Sequence, residues 1–549
     1  MSAVRPTTTG VSETVSSLVT TGIAGRIAKQ DAAVWGPDAQ FEAAIRLGWT
    51  ALHETSRPLL STILALRDEL LGEGIDRVAL CGMGGSSLAP EVICAAAGVP
   101  LVVLDSTDPS QVRSAMVDLE RTVVVVSSKS GSTLETDSQR RSFVEAFTAA
   151  GVDAARRIVV VTDPGSALEQ TAREHGYRAV FAADPSVGGR YSALTAFGLV
   201  PSGLAGADIT ALLDQAAAAA PDLSRDEADN PALLLGAAMA ATPAADSLAA
   251  RGTLVIVAQD GLPGFGDWAE QLIAESTGKL GRGVLPVAAG PDAPELTTGA
   301  PDVLVARVTA GSQQAGSSAG VSVTGPDQHE RALEVTVTGP LGAQFLLWEY
   351  ATAVAGHILG INPFDQPDVE SAKVAARGLL DATPEPVAPA FAADGVAVTG
   401  STGLLEGVEP TLQAALAATL GRLSPSGYVA VMAYLDRLAN APLAGVRDRL
   451  AARTGRPVTF GWGPRFLHST GQFHKGGPAV GVFIQVVAGP GFVEDLHIPD
   501  RPFSYGRLIA AQAAGDATVL ASHDVPVLTF TVSSDAGLRA VKSALDGAR

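Results

Sequence analysis

The sequence predicts an α/β protein in which parallel β-sheets carry helices on both faces. Short runs of valine, isoleucine and leucine alternate with longer helical stretches, which is the pattern of strand–helix–strand units. Hydrophobic residues make up 47% of the 549 residues and charged residues 17%, a globular composition. Abundant alanine and glycine favour tightly packed layers, and a chain of this length can hold two or three domains.

The first α/β unit is predicted to begin near residue 78, after about 70 residues with helical periodicity. Its strands are predicted at Val78–Cys81, Leu101–Leu104, Val123–Val126 and Ile158–Val161. The first strand leads into GMGGSS, Gly82–Ser87, where glycines let the backbone approach a ligand closely. The motif lacks the last glycine of a dinucleotide fingerprint and the Gly-Lys-Ser/Thr of a P-loop. A tight strand–helix crossing is therefore an equal alternative to a ligand site.

The valine strand leads into SSKSGSTLET, Ser127–Thr136, which predicts an anion site. Ser132 and Glu135 have capping-box spacing, so a helix is expected to start here with its free N–H groups towards the ligand. Lys129 would add a positive charge. Three hydroxyl groups suit phosphate oxygens, those of Ser128, Ser130 and Thr133. An ordinary capped turn is the alternative.

Further along, GGRYSALTAFG, Gly188–Gly198, places Arg190 between a glycine pair and a helix, although it could equally be a surface arginine. A second α/β unit is predicted from Leu254–Val257. Its helix carries Gln271 and Glu275, four residues apart and therefore on one face. Glu275 precedes the predicted helix end at Gly278 by one turn, where the helix dipole is expected to raise its carboxyl pKa and favour a general base.

The second unit continues with strands at Val303–Val308 and Leu333–Val337 and a helix through Trp348. NPFDQPDVESAK, Asn362–Lys373, follows, and Pro384–Ala392 predicts a linker. The last region, from about residue 400, starts with a helix and carries GWGPRFLHSTGQFHKGGP. Strands are predicted there at Val480–Val487, near Val519–Leu520 and at Leu528–Val532. Its histidines, His468 and His474, have no other His or Cys at ligand spacing, which disfavours a metal site.

Composition also excludes several classes of function. The net charge of −19 argues against nucleic acid and anionic membranes as partners. Two cysteines, Cys81 and Cys94, give no disulfide framework and suggest buried thiols in a reducing cytoplasm. The sequence has no signal-peptide pattern and no apolar run of membrane-spanning length, so a cytoplasmic protein is expected.

Six motifs together resemble the phosphoglucose isomerase family: GMGGSS, SKSGSTLET, GGRYS, QLIAESTGK, LHSTGQ and NPFDQPDVESAK. The resemblance is densest over residues 75–375. It implies two sugar-isomerase (SIS) domains, a homodimer, and interconversion of glucose 6-phosphate and fructose 6-phosphate without metal or cofactor. The implied organisation is a helical lead-in (1–70), two SIS domains (71–225 and 226–380), a linker (381–399) and a C-terminal α/β region (400–549).

The resemblance also implies roles for individual residues. Glu275 matches the base, Arg190 the arginine that steadies the intermediate, and Lys373 and His468 the ring-opening pair. Substrate and phosphate binding is implied for Gly85, Ser86, Ser128, Lys129, Ser130, Thr133, Gln271 and Gln366. His474 does not fall on the histidine position. Such an enzyme brings its base, ring-opening groups and a cationic stabiliser together around a bound sugar phosphate.

One feature departs from the family pattern. In most members the histidine lies between the glutamate and the lysine and comes from the neighbouring subunit, whereas His468 here follows Lys373. Residues 376–549 resemble the isomerase half of chains in which a transaldolase is fused ahead of an isomerase, although this sequence has no transaldolase. Whether His468 acts in its own subunit is left open. The alternatives are a non-catalytic SIS-type sugar-phosphate-binding regulator and a dual phosphoglucose/phosphomannose isomerase.

Overall fold

The structure, a computed structural model, describes residues 8–240, 252–259, 261–298, 300, 302–311, 319–324, 333–381 and 388–547. For residues 8, 9, 369–373 and 381 only the backbone is considered. The chain begins with helices that pack beside the first sheet: α1 (Thr8–Thr20), α2 (Ile23–Ala28), α3 (Pro37–Ala43), α4 (Leu52–Thr55) and α5 (Pro58–Gly72).

The first sheet is parallel throughout, with the strand order β2-β1-β3-β4-β5. Its elements are β1 (Arg77–Gly82), α6 (Leu88–Ala97), β2 (Val102–Leu104), α7 (Pro109–Ala115), β3 (Thr122–Ser127), α8 (Leu134–Ala149), β4 (Ile158–Thr162), α9 (Ala167–Glu174), β5 (Ala179–Ala182), α10 (Ala196–Ala205), α11 (Ile209–Leu223) and α12 (Pro231–Ala240). Alternate residues of β1 enter two different cores, Leu80 on one face and Cys81 on the other. Helices therefore cover both faces, which explains the unbroken valine run of β3.

The second sheet has the order β7-β6-β8-β10-β9, and its edge strand β9 is antiparallel. Its elements are β6 (Thr253–Ala258), α13 (Phe265–Thr277), β7 (Leu285–Ala288), β8 (Val303–Thr309), β9 (Gly320–Thr324), β10 (Leu333–Thr338), α14 (Leu341–Leu359) and α15 (Val369–Asp381). The predicted helix end is confirmed, because Gly278 is the C-cap of α13.

The third sheet has six strands in the order β11-β12-β16-β15-β13-β14. Its elements are β11 (Phe391–Ala393), β12 (Val396–Gly400), α16 (Leu412–Leu420), β13 (Tyr428–Tyr434), α17 (Val446–Thr454), β14 (Val458–Trp462), α18 (Gly471–Gly476), β15 (Gly481–Ala488), α19 (Tyr505–Ser522), β16 (Val527–Val532) and α20 (Asp535–Leu545). Strands β11 and β12 are antiparallel additions, whereas the other four are parallel.

The three sheets share one topology. Each sheet contains four parallel strands whose order across the sheet is second, first, third and fourth, numbered as they occur in the chain. The first sheet adds a fifth parallel strand, β5, beside the fourth. The predicted fold class, two parallel sheets flanked by helices and a C-terminal α/β region, is therefore confirmed. The third region proves to be built on the same plan as the other two, which its sequence had not indicated.

The third sheet packs against both of the others. Tyr428 and Met432 on one face of β13 share a core with Val255 of the second sheet. Leu508 of α19 enters the core on the α8 side of the first sheet, where Tyr505 and Ser142 share a hydrogen bond of 3.0 Å between their hydroxyls. This packing brings helices and turns of the third region to the strand ends of the first two sheets.

Two sequence predictions need correction. Val519–Leu520 was expected to be a strand but lies in α19, because the apolar pair belongs to a long alanine-rich helix. Strands β11 and β12 occupy part of the predicted linker 381–399, because β12 pairs with β16 and β11 pairs with β12. Residues 382–387 of that linker lie outside the described residues. The domain boundaries themselves stay predictions.

The two cysteines are buried free thiols, as the sequence predicts. Burial raises the pKa of Cys94 to about 12, so this thiol stays protonated at physiological pH. Within the described ranges, no helix combines the length and the apolar character needed to cross a membrane.

Candidate active site

The two turns singled out in the first unit leave the same edge of the first sheet. Gly82, at the end of β1, is paired in register with Ser127, at the end of β3. The carboxyl ends of adjacent parallel strands are where α/β proteins build ligand sites. Gly85 packs so closely on the next loop that a Cβ there would overlap the carbonyl oxygen of Gly189. Only glycine fits this crossing, which fixes the distance between GMGGSS and GGRYS.

A cavity of about 770 Å³ lies at this edge and is walled by all three sheet units. Ten of the twelve predicted site residues line it: Gly85, Ser86, Lys129, Ser130, Thr133, Arg190, Gln271, Glu275, Gln366 and His468. Residues from distant parts of the chain thus meet in one space of a size suited to a small molecule.

The other two predicted residues behave differently. Ser128 is buried behind the wall, where its hydroxyl shares a hydrogen bond of 3.0 Å with that of Thr133 and accepts one of 3.2 Å from the Gly131 N–H. It shapes the turn and does not face the cavity. The side chain of Lys373 lies outside the described residues, although Ala376 and Arg377 of the same helix, α15, line the cavity.

Glu275 lies on the inner face of α13 and is 5% exposed. One carboxylate oxygen is 3.3 Å from the guanidinium of Arg190, and the other accepts a hydrogen bond of 3.4 Å from Gln271. Arg190 is itself held by the Ser276 hydroxyl at 2.9 Å. The predicted shared face of Gln271 and Glu275 is thus present, and it points into the cavity.

The loop after α14 completes the surroundings of Arg190. Arg190 donates to the carbonyl oxygens of Pro363 and Asp365 at 2.7 and 2.8 Å, and to Gln366 at 3.2 Å. Lys279, from the ESTGK motif, donates to the same Asp365 carbonyl at 2.6 Å and pairs with its carboxylate at 2.6 Å. Burial and the nearby Arg190 lower the pKa of Lys279 to about 8. Two cations therefore fix the NPFDQ loop against Glu275.

His468 enters the cavity from a 3-10 turn, Arg465–His468, of the same chain. Its Nε2 lies 3.0 Å from Oε1 of Glu135, and its carbonyl oxygen accepts a hydrogen bond of 2.8 Å from Gln271. Glu135 also accepts from Nε2 of Gln512 at 2.7 Å, while Gln512 accepts from the Thr107 hydroxyl at 2.7 Å. A chain of hydrogen bonds thus links α19 and α8 to the imidazole.

His474 is placed elsewhere. It is buried, its Nδ1 lies 2.9 Å from the Tyr428 hydroxyl, and it does not line the cavity. Burial and the neighbouring Lys475 lower the pKa of His474 to about 3, so the ring is neutral at physiological pH. Of these two histidines, His468 lines the cavity and His474 does not.

Buried charges anchor the turn that carries His468. Arg465 pairs with Asp105 and, at 2.6 Å, with Glu91, both from the first sheet unit. Arg437 shares these partners, at 2.9 Å from Glu91. Although burial alone would raise it, the two guanidinium groups lower the pKa of Glu91 to about 2. The cluster ties the third sheet unit to the first beside the cavity.

The phosphate-type turn differs from its predicted form in two respects. The expected capping box is absent, because Thr133 is the N-cap of α8 without a side-chain cap bond and the Ser132 hydroxyl bonds that of Ser130 at 2.8 Å. Glu135 is instead committed to His468. Lys129 forms an ion pair of 2.6 Å with Asp163, so its charge is offset in this state. Burial raises the pKa of Asp163, which means that the site disfavours its charged form.

Other lining cations are paired in the same way. Arg46 of the N-terminal region lies 2.8 Å from Glu42, and Lys475 lies 2.6 Å from Asp516. Within the described part of the chain, no cluster of three or more His, Cys, Asp or Glu side chains is arranged to hold a metal ion. The cavity wall therefore presents many donors but little uncompensated charge.

Comparison with known proteins identifies the family. Residues 68–283 match the family model described as phosphoglucose isomerase. The chain is 32% identical over 380 residues to a probable glucose-6-phosphate isomerase of Natronomonas pharaonis, covering 62% of this chain and 87% of that protein. This chain belongs to the phosphoglucose isomerase family.

Other relatives of the phosphoglucose isomerase family agree. A glucose-6-phosphate isomerase of Synechococcus elongatus is 30% identical over 392 residues, which cover 63% of this chain and 73% of that protein. In fold, the chain resembles the crystal structure of a hypothetical protein from Thermus thermophilus, with a TM-score of 0.55 and 24% identity. That likeness covers 69% of this chain and all of the other.

Sequence reasoning missed several polar residues of this family member's cavity, among them Glu135, Gln512 and Lys475. A signal for one of them was present. Gln512 and Asp516 are four residues apart in the otherwise alanine-rich stretch Ala510–Thr518, so they share one face of a helix. Buried polar side chains on such a face require partners, which indicates a polar site. Glu135 had been assigned to a cap, and Lys475 carried no signal beyond its neighbourhood to His468.

Proposed function

We propose that this chain is a glucose-6-phosphate isomerase that interconverts glucose 6-phosphate and fructose 6-phosphate through an enediolate. One observation carries the proposal: the Glu275 carboxylate, held by Arg190, lines the same cavity as the lysine-and-hydroxyl turn of α8. Membership of the phosphoglucose isomerase family supports it, since the relatives at 32% and 30% identity bear this activity in their names.

The phosphate is assigned to the turn before α8. The first N–H groups of a helix have no partners within the helix and attract anions. Ser130, Thr133 and Lys129 line the cavity beside that helix start. Lys129 can exchange Asp163 for a phosphate, because burial already disfavours the charged form of Asp163. Ser86 and Gly85 supply the facing wall.

Isomerisation of the open-chain sugar requires one proton to move between neighbouring carbons. Glu275 takes the proton from C2 and returns it to C1, while a second proton passes from O2 to O1, so atoms and charge balance. Proton transfer by a positioned carboxylate is worth about 10²–10⁴ in rate. The guanidinium of Arg190, 3.3 Å from Glu275, is placed to stabilise the negative enediolate in a buried site. Gln271 and Gln366 orient these two groups.

Ring opening is assigned to His468, supported by Glu135 at 3.0 Å, and to Lys373 by its place in the family motif. The Glu135 carboxylate fixes the imidazole by this contact, so His468 is oriented to exchange a proton with the ring oxygen. His468 of the same chain lines the cavity, which favours action within one subunit. A homodimer and a cytoplasmic location stay predictions.

Glu275→Gln tests the function directly. The variant should keep its fold and its inhibition by inorganic phosphate but lose at least about 100-fold in turnover of glucose 6-phosphate, measured by coupled detection of fructose 6-phosphate. Glu270→Gln is the matched control on the same helix, since Glu270 accepts a hydrogen bond of 2.8 Å from the Ala288 N–H and does not line the cavity. Near-wild-type turnover by Glu275→Gln would remove that residue from the mechanism.

The alternatives are separated by the same assay. A non-catalytic sugar-phosphate-binding regulator would bind glucose 6-phosphate without forming fructose 6-phosphate, and the isomerase names of the relatives do not favour it. Mannose 6-phosphate as a second substrate tests for a dual phosphoglucose/phosphomannose isomerase. Fructose 6-phosphate formed from mannose 6-phosphate at a comparable rate would establish that broader specificity.

A further inference from the structure

We propose that Lys475 contacts the sugar portion of the substrate and is a further binding residue of this site; the inference rests on the proposed isomerase function. Lys475 lies on α18, in the segment that also carries His468, and lines the cavity. Its side chain is 2% exposed, so its ammonium group is held in the wall and does not extend into solvent.

The ammonium group is fixed by a buried carboxylate. Its Nζ lies 2.6 Å from Oδ1 of Asp516, which is completely buried, and donates to the Gly471 carbonyl at 3.3 Å. The other oxygen of Asp516 accepts hydrogen bonds from the Tyr434 hydroxyl at 3.3 Å and from Gln485 at 3.4 Å. Asp516 is therefore a rigid anchor that determines where the lysine points.

The ammonium group of Lys475 has three N–H donors. One donates to the Gly471 carbonyl and the charge is paired with Asp516, which leaves a donor for a group in the cavity. A buried ion pair is weak evidence for a purely stabilising role, because apolar replacements of equal volume are often as stable. An ion pair that lies in the wall of a ligand cavity and keeps a donor available is better explained by recognition of the substrate.

The charge balance indicates which part of the substrate is contacted. Asp516 neutralises Lys475, so the pair offers a strong N–H donor without net positive charge. Such a donor suits a neutral hydroxyl or ring oxygen, whereas the phosphate is assigned to the turn of α8. Gln512 lies one turn before Asp516 on α19 and holds the Glu135–His468 pair. One helix face therefore positions Lys475 and His468 together.

The test compares Lys475→Met, Asp516→Asn and the double variant carrying both changes. Lys475→Met alone leaves Asp516 as an unpaired buried charge and should lower the melting temperature. The double variant should restore the melting temperature, because Asn retains the acceptor for Tyr434. Its kcat/KM for glucose 6-phosphate should nevertheless stay about 10- to 100-fold below wild type, the effect of one lost hydrogen bond to a charged group.

Three further readouts keep the proposal falsifiable. Inhibition by inorganic phosphate should be unchanged in the double variant, and an equal weakening would assign Lys475 to the phosphate instead. A double variant with wild-type kcat/KM would reduce Lys475 to a structural ion pair. Should the double variant not fold, Lys475→Arg decides: it keeps the ion pair but displaces the donor, so wild-type kinetics there would overturn the proposal. Wild-type enzyme inactive on glucose 6-phosphate would refute the proposed function instead.

Discussion

Substitution of Gln512 by leucine tests whether the hydrogen-bond chain behind His468 controls its proton chemistry. Gln512 donates from Nε2 to Oε1 of Glu135 at 2.7 Å and accepts from the Thr107 hydroxyl at 2.7 Å. This orientation of the amide is required chemically, since an ionised carboxylate only accepts and the hydroxyl can donate. Leucine has a similar volume but no donor. Gln512→Leu therefore removes one charge-assisted hydrogen bond from the partner of His468.

The size of the effect follows from that single bond. A hydrogen bond to a charged group stabilises it by about 1.5–3 kcal/mol. His468 lies 3.0 Å from Glu135, so loss of the bond that holds Glu135 should disturb the position of the imidazole. Each 1.4 kcal/mol of lost transition-state stabilisation is about a factor of ten in rate, so kcat/KM for cyclic glucose 6-phosphate should fall by about 10- to 100-fold. An acyclic analogue, which needs no ring opening, should be affected much less.

The assay compares kcat/KM for glucose 6-phosphate with kcat/KM for an acyclic analogue, with melting temperature as a check on folding. Thr107→Val is the matched control, because it removes only the outer hydrogen bond to Gln512 and should lower kcat/KM much less. A merely structural role for Gln512 would lower stability and affect both substrates equally. Wild-type kcat/KM for glucose 6-phosphate in Gln512→Leu would refute the reasoning.

Three other predictions test further contacts. His468→Ala should slow turnover of the cyclic sugar phosphate more than that of an acyclic analogue, and equal losses would contradict a ring-opening role. Burial lowers the pKa of Lys279 to about 8. Above that pH the ammonium group that holds Asp365 loses its proton, so kcat/KM should fall. Lys279→Arg should move this decrease in kcat/KM to higher pH. Between pH 8 and the ordinary lysine pKa of 10.5 the unfolded chain binds more protons at Lys279 than the folded chain does. The contribution of Lys279 to the free energy of unfolding should therefore increase with pH over this range. If the difference between wild type and Lys279→Arg does not change with pH there, another group causes the fall in kcat/KM. Arg465→Met should lower both the melting temperature and kcat/KM, because Arg465 lies on the turn that carries His468. Arg437→Met should lower mainly the melting temperature. Equal losses of kcat/KM in the two variants would count against a positioning role for Arg465.

The fold of the first two units could be predicted because their strands are buried on both faces. The runs at Val78–Cys81 and Val123–Val126 are nearly all apolar and are bounded by small polar turns, so their period and ends are visible in sequence. The third sheet was harder. Its strand β12 alternates buried and partly exposed residues beside a proline-rich segment, and pairing with β16 is what makes it a strand. Pairing between distant segments leaves no local signal.

The site was predictable where a residue type and its turn both carried chemistry. Arg190 and Glu275 lie 3.3 Å apart, since the turn Gly189–Tyr191 and the last turn of α13 reach the same cavity. Glu135 was misassigned because a carboxylate three residues after a serine fits a helix cap equally well, and only the approach of His468 shows its other role. Lys475 could not be found from the sequence, because its place in the cavity wall depends on Asp516 of another helix.

The departure of the chain order from the family pattern has a structural explanation. In parallel α/β sheets, functional groups sit in loops at one edge, and their order along the chain does not determine which groups meet. The third sheet repeats the strand order of the first two and packs so that its turn Arg465–His468 reaches the edge where β1 and β3 end. His468 can therefore follow Lys373 in sequence and still line the same cavity as Glu275. The same packing brings Gln512 to Glu135, which indicates that the third unit contributes to the site and does not merely cover it.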